Sequence, residues 1–149
     1  QRPRSRWLLA AAPLGYPLAS ALIILLALLA VRSCAATIDS VLPALERVES
    51  SGNPRAVGDN GMAKGILQVW PGVVQDVNRI AGTRYTHDDA FDPEKARHMA
   101  RVYLGHYCTV ARLGHEPTAE DYARVWNGGP NGYKRASTNG YWQKVKAAL

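Results

Sequence analysis

The stretch "LERVESSGNPRAVGDNGMAKGILQVW", Leu45 to Trp70, decides how the chain is read. It begins inside a helical pattern: Ile38, Val41, Leu42, Leu45 and Val48 recur at the three-and-four spacing of one helix face, which predicts a helix from about Asp39 to Ser51. Pro43 is expected in its first turn, where a missing N–H is tolerated, and Gly52 and Pro54 are expected to stop it. Glu49 lies four residues after Leu45 and one after Val48, on the apolar face; Glu46 falls at the stripe's edge and is expected to reach water. Burial and the partial negative charge of a last helical turn both disfavour an ionised Glu49, so its pKa is expected to rise. A carboxyl still protonated near neutral pH suits glycosidic bond cleavage, because the leaving oxygen must take up a proton. The plainer alternative is a glutamate bonded to a backbone amide at a helix end.

The rest of the stretch bears on that choice. Asp59-Asn60-Gly61 is a turn signal and Ile66-Leu67-Val69 an apolar run, which together predict a small hairpin or irregular β segment with Asp59 at its tip. Two carboxylates from different elements facing a groove are what a glycosidase uses, one as acid and one as nucleophile or electrostatic stabiliser. An aspartate bonded to its own turn is the common alternative for Asp59.

Outward from this block the chain predicts a mostly helical domain with short, glycine-rich connections. Val73, Val74, Val77 and Ile80 form one stripe ending at Gly82. Asp92 is expected to cap a long helix with Pro93 at its first position and Ala96, Met99, Ala100, Tyr103, Leu104 and Tyr107 as its buried seam. Thr118 and Asp121 have capping-box spacing, with aspartate a weaker partner than glutamate. The Asn-Gly-Gly-Pro-Asn-Gly core of "WNGGPNGYKRASTNGYWQKV", Trp126 to Val145, is expected to be a tight loop between helices. Tyr133, Tyr141 and Trp142 are candidates to line a sugar groove with their flat faces, although Trp142 reads better as core.

At the N-terminus, the basic "QRPRSR" (residues 1–6) precedes Trp7 to Val31, a run without a charged residue and long enough to cross a bilayer. Residues 7–31 are therefore read as a transmembrane or signal-anchor helix, 32–37 as a linker and 38–149 as the folded domain. The leading arginines favour a cytoplasmic start and an exported domain. The formal charge of +6 first suggests a nucleic-acid partner, but Arg2, Arg4, Arg6 and Arg32 flank the apolar run, and without them 14 basic residues face 12 acidic ones. No arginine-rich stripe suited to a phosphate backbone remains, and nucleic acid is set aside. Cys34, in "VRSC", is placed as at a lipoprotein cleavage site but with an ill-fitting arginine; Cys34 and Cys108 are either a disulfide or two separate thiols. Two cysteines with no histidine pair at ligand spacing do not make a zinc site, and no cofactor is expected.

"VESSGNP", "GDNGMAKGILQVWPGVVQDV" and "ARVWNGGPNGYKRASTNGYWQKV" together resemble the invertebrate-type (destabilase) lysozymes and their bacterial and phage relatives. The first block also resembles the Glu-Ser and Gly-Leu-Met-Gln signature of soluble lytic transglycosylases. The resemblance implies an α+β, predominantly helical lysozyme-like domain with a small β hairpin, acting on peptidoglycan. It matches Glu49 to the catalytic acid, Asp59 to the second carboxylate and Gln68 to the groove wall, with Ser51, Asn127, Gly128, Tyr133 and Tyr141 as further candidate substrate contacts. Invertebrate-type lysozymes are rich in cysteine, whereas this chain has two. Three functions follow as expectations: a muramidase using both carboxylates, a lytic transglycosylase using Glu49 alone, or an anchored glycan-binding protein without activity. The expected location is the bacterial inner membrane with the domain on the cell-wall side, as in phage endolysins with signal-anchor-release segments.

Overall fold

The computed structural model describes residues 36–149. The basic flank, the apolar segment 7–31, most of the linker and Cys34 lie outside the described residues, and among those described no helix is long and apolar enough to cross a membrane. The described part is an α+β domain dominated by helices, with one two-stranded sheet.

Helix α1, Ile38–Ser50, starts at Thr37, whose hydroxyl accepts the Ser40 N–H at 3.2 Å while the Ser40 hydroxyl accepts the Thr37 N–H at 3.2 Å. This reciprocal cap satisfies two donors that a helix start otherwise leaves bare. Pro43 lies inside the helix, beyond the first turn where the sequence reading put it, and removes one backbone bond on the exposed side. The end also differs from expectation. Ser51, with φ +54°, takes the left-handed position usually held by glycine, and the N–H groups of Ser51 and Gly52 bond to the carbonyls of Arg47 and Glu46 at 3.1 Å. Val41, Leu42, Ala44 and Leu45 are buried. Glu46 does not simply face water: Arg97 donates to its two oxygens at 2.7 and 3.1 Å, joining α1 to a later helix through a forked, charge-assisted pair.

Strands β1 (Val57–Gly58) and β2 (Ala63–Lys64) pair antiparallel, Val57 opposite Lys64 and Gly58 opposite Ala63, with a single helical turn, Asp59–Gly61, at the tip. The run Ile66-Leu67-Val69 is not a strand. The backbone doubles back after Lys64, which exchanges hydrogen bonds with Val69 at 3.1 and 2.8 Å, and all three apolar side chains turn into the core. Gly65, at φ +75°, makes this possible: a Cβ there would sit 1.8 Å from the Ala90 carbonyl oxygen.

Helix α2, Pro71–Ala81, ends at left-handed Gly82; Val74 and Val77 are buried, Val73 and Ile80 partly so. Helix α3, Pro93–Tyr107, is capped by Asp92, whose carboxylate accepts the Glu94 and Lys95 N–H groups at 2.9 and 3.3 Å. Its expected seam is buried from Ala96 to Leu104, with Tyr107 partly exposed. A short α4, Val110–Leu113, leads to α5, Ala119–Gly128, where the Thr118–Asp121 capping box forms in full. Asn127 and Gly128 belong to the last turn of α5, so the expected loop begins two residues later, at Gly129. Helix α6, Asn139–Ala148, closes the chain, and α1 packs against α3, α5 and α6 around one core. Cys108 is buried in that core.

The Gly65 approach yields a stability test. Gly65→Ala adds both a left-handed penalty and a collision with rigid backbone, so urea denaturation should show a loss above ~2 kcal/mol. Gly82→Ala, left-handed but with open space around it, should lose only about 1 kcal/mol. Equal losses would mean that the hairpin yields to admit the methyl group.

Candidate active site

A cleft of about 590 Å³ runs between the hairpin and α2 on one side and α1 and α5 on the other. Glu49, in the last turn of α1, and Asp59, at the hairpin tip, both line it. Burial pushes the Glu49 carboxyl above its ordinary pKa; the Tyr141 bond and, after the Asp59 charge that adds to the rise, the nearby Trp126 indole pull the other way. The net direction is upward, as the sequence position predicts. The Tyr141 hydroxyl, on α6, donates to Glu49 Oε1 at 2.6 Å. Burial and the Glu49 charge hold the Tyr141 phenol far above its usual range, so it is a fixed donor at any working pH. Among the described residues no backbone amide bonds to Glu49; its donor is a side chain from the last helix of the domain.

Asp59 is held differently. It is exposed, at φ +47°, and Asn60 follows at φ +53°. Among the described residues its carboxylate accepts no hydrogen bond; only its backbone carbonyl does, from Met62 at 3.1 Å. Bonding to its own turn is therefore not what this side chain does. Gln68, at φ +50°, lines the cleft, its amide donating to the Gly65 carbonyl at 3.0 Å. Its Oε1 stands where a Cβ on Gly58 would lie, 2.5 Å away, so Gly58 makes room for it. Among the described residues, the non-glycine positions with positive φ, Ser51, Asp59, Asn60 and Gln68, all fall within the stretch from Leu45 to Trp70. Strain of this kind, ~1–3 kcal/mol per residue, persists only where surrounding structure enforces it.

The other candidate contacts divide. Asn127 lines the cleft. Ser51 does not; it is the exposed closing residue of α1, and its neighbour Ser50 makes the structural link, its hydroxyl donating to the Ile66 carbonyl at 2.8 Å. Gly128 faces Thr138, where a Cβ would meet a methyl group at 2.5 Å, and acts in packing. Tyr133 sends its hydroxyl to the Arg112 carbonyl at 2.9 Å, outside the lining of the cleft. Tyr141 reaches the site through Glu49 and is not itself a wall residue.

Several wall residues escaped the sequence reading. Trp70, about half exposed, offers an open aromatic face, and Trp126 and Tyr103 meet edge to face at the floor. The Trp126 indole donates to the Leu67 carbonyl at 3.2 Å, tying α5 to the hairpin. Asp76, on α2, is an acid within the stripe that runs from Val73 to Ile80, the same signal that singled out Glu49. Among the described residues no group of three or more His, Cys, Asp or Glu side chains is placed to hold a metal ion.

The raised pKa of Glu49 has a consequence for stability. Above the unfolded value, about 4.3, the unfolded chain releases this proton while the folded chain retains it. The contribution of Glu49 is therefore full below that pH and is lost as pH rises through the folded value. Glu49→Gln should melt higher than the unsubstituted chain at pH 7, and the difference should vanish below about pH 4. A lower melting temperature at pH 7 would show that the ionised carboxyl is welcome in the fold.

Residues 33–148 match the model of the Transglycosylase SLT domain. A 47-residue stretch, 32% of the chain, is 44% identical to Lysozyme 1 of Crassostrea virginica, and a 50-residue stretch, 34% of the chain, is 40% identical to Lysozyme of Magallana gigas. These stretches span 24% and 35% of the respective relatives' own lengths. The match over residues 33–148 covers most of the chain and the whole cleft, and the chain belongs to the family of the Transglycosylase SLT domain.

Proposed function

We propose that this domain cleaves peptidoglycan at the β-1,4 bond between N-acetylmuramic acid and N-acetylglucosamine, as a muramidase. The observation that carries the reading is the pairing of two unlike carboxyls in one cleft: a half-buried Glu49 with raised pKa, and an exposed Asp59 free of local bonds. Protonated Glu49 gives its proton to the leaving oxygen as the bond breaks. Asp59 faces the positive charge that develops at the anomeric carbon and stabilises or attacks it. The Glu49 carboxylate then takes a proton from the entering water as the water oxygen bonds to the anomeric carbon; where Asp59 is the nucleophile its ester bond to that carbon breaks at the same time, which restores both carboxyls with net retention. Tyr141 holds the Glu49 oxygen in place and supports its anionic form between the two steps.

The lytic transglycosylase reading is favoured by one finding, the match to the Transglycosylase SLT domain. There the 6-hydroxyl of muramic acid closes on its own anomeric carbon, Glu49 serves as acid and then base, and Asp59 has no chemical task. In either case the basic flank and apolar segment at residues 1–31 would hold the domain on the outer side of a bacterial inner membrane, where peptidoglycan lies.

Mass spectrometry of digested wall separates the readings. Reducing muramic acid ends support hydrolysis, and 1,6-anhydro ends support the transglycosylase. Glu49→Gln should abolish product of either kind. Asp59→Asn, shown to be folded by circular dichroism, should lose about a hundredfold or more in turnover if the enzyme is a hydrolase. A loss below about tenfold would favour the transglycosylase.

A separate prediction concerns pH. The Tyr141 bond favours ionised Glu49, so removing it raises the Glu49 pKa further. Tyr141→Phe should move the alkaline limb of the rate profile to higher pH, because the acid stays protonated for longer. A limb that stays put or moves down would show that Tyr141 does not act on the proton of Glu49.

A further inference from the structure

The cleft wall carries three carboxyls, on Glu49, Asp59 and Asp76, and no lysine or arginine side chain among the described residues lines it. A substrate that is itself acidic would be repelled by such a wall unless a cation stood at its rim. Asp76 is already matched. Arg79 donates to it at 2.7 Å and the Tyr107 hydroxyl at 2.8 Å; burial raises the Asp76 pKa, but these bonds outweigh it and hold the carboxyl below its usual value. The charge of Arg79 is thereby used.

Arg112 is placed otherwise. Its Nε donates to the Tyr107 carbonyl at 3.2 Å, and its Nη2 donates to the Pro130 carbonyl at 3.1 Å and the Asn131 side-chain oxygen at 3.4 Å. The guanidinium lies over the Tyr107 ring, 5.3 Å from its centre. Every one of these acceptors is neutral, and among the described residues no carboxylate lies within ion-pair distance of Arg112. Arg97, Arg101 and Arg124, by contrast, each hold an acid. Tyr133 fixes the Arg112 backbone by donating to its carbonyl, so a guanidinium that is usually mobile is held on several sides. Its Nη1 edge makes no bond within the described structure. Pro130 is itself a wall residue, which puts this uncompensated charge at the rim.

We propose that Arg112 receives a carboxylate carried on the 3-O substituent of muramic acid, either the lactyl acid itself or the peptide stem built on it. The proposal rests on the peptidoglycan reading and adds the feature that distinguishes a muramic acid strand from a neutral glucosamine polymer. A pre-positioned guanidinium with one free edge gives a carboxylate a charge-assisted bond at little cost in side-chain entropy.

The test measures affinity in the full chain carrying Glu49→Gln, which halts turnover, with fluorescence from Trp70 and Trp126 in the cleft as the signal. Three ligands are compared: strands bearing peptide stems, strands stripped by an amidase so that the lactyl carboxylate remains, and chitooligosaccharides, which have no carboxylate. Adding Arg112→Gln should reduce the preference for acid-bearing strands over chitooligosaccharide about five- to tenfold, and Arg112→Lys should restore part of it. Loss of preference on stripped strands alone assigns the lactyl acid, which is an amide wherever a stem is attached; loss on stem-bearing strands alone assigns a stem carboxylate, and loss on both shows that the guanidinium takes either. A preference unchanged by Arg112→Gln overturns the proposal. Should that variant fail to fold, salt decides with Arg112 intact: raising it to about 0.5 M should weaken acid-bearing strands and spare chitooligosaccharide, and an equal response overturns the proposal. Digestion of wall by the unsubstituted chain is scored separately, so that absence of products counts against the cleavage reading and leaves the Arg112 result standing.

Discussion

The hydrogen bond of 2.6 Å from the Tyr141 hydroxyl to the Glu49 carboxyl ties the last helix of the domain to the end of the first, and the cleft depends on it. A carboxyl moved out of water can shed its charge or find donors. Here burial drives it toward the neutral acid while Tyr141 and Trp126 keep the anion accessible. On the proposed reading Glu49 gives and then recovers a proton, and opposed influences keep both of its states within reach better than either would alone. The stability that burial of this acid costs is offset by the apolar seam of α1, where Val41 and Leu45 are fully buried; each such side chain contributes about 1.5–3 kcal/mol.

The facing wall depends on a different constraint, the anchoring of a hairpin only two residues long on each strand. Such a hairpin has little stability of its own. Three contacts hold it from outside: the Ser50 hydroxyl on the Ile66 carbonyl, the Trp126 indole on the Leu67 carbonyl, and the close approach of Gly65 to Ala90. With the base fixed at three points, the tip can keep Asp59 and Asn60 in left-handed geometry, and the turn at Gln68 can do the same. Rigidity at the base thus keeps Asp59 and Gln68 on the wall of a cleft whose acid stands on another element.

The carboxyl on α1 was legible because a charged residue interrupted a regular apolar stripe, and helix periodicity assigns such a residue to a face. Asp76 carried the same mark on α2 and was overlooked among the valines around it. Asp59 was legible through turn chemistry, yet the sequence could not distinguish a carboxylate bonded to its own loop from one left open; that depends on φ and on side-chain direction. Direction was also the failing with the glycine-rich block. The family resemblance offers Gly128, and aromatic character offers Tyr133, as groove contacts, but Gly128 serves the fit of α5 against Thr138, and the Tyr133 hydroxyl turns toward Arg112. Ser51 and Ser50 are adjacent and alike in sequence; only the point at which the backbone leaves the helix decides which one reaches the hairpin. Glu46 was read as solvent-facing because Arg97, 51 residues away, could not be placed opposite it without the tertiary fold.

The geometry of Asp59 bears on the remaining choice between hydrolysis and internal transfer. A left-handed position at a hairpin tip is most cheaply filled by glycine, and asparagine or aspartate tolerates it when the side chain bonds locally. Asp59 has the strain without the local bond, so the turn alone gives no reason for a carboxylate there. Its charge does have an effect across the cleft, where it raises the pKa of Glu49. On the proposed reading, a negative charge at Asp59 facing the reacting carbon lowers the barrier to an oxocarbenium-like state whichever oxygen attacks, so its presence alone does not choose the nucleophile.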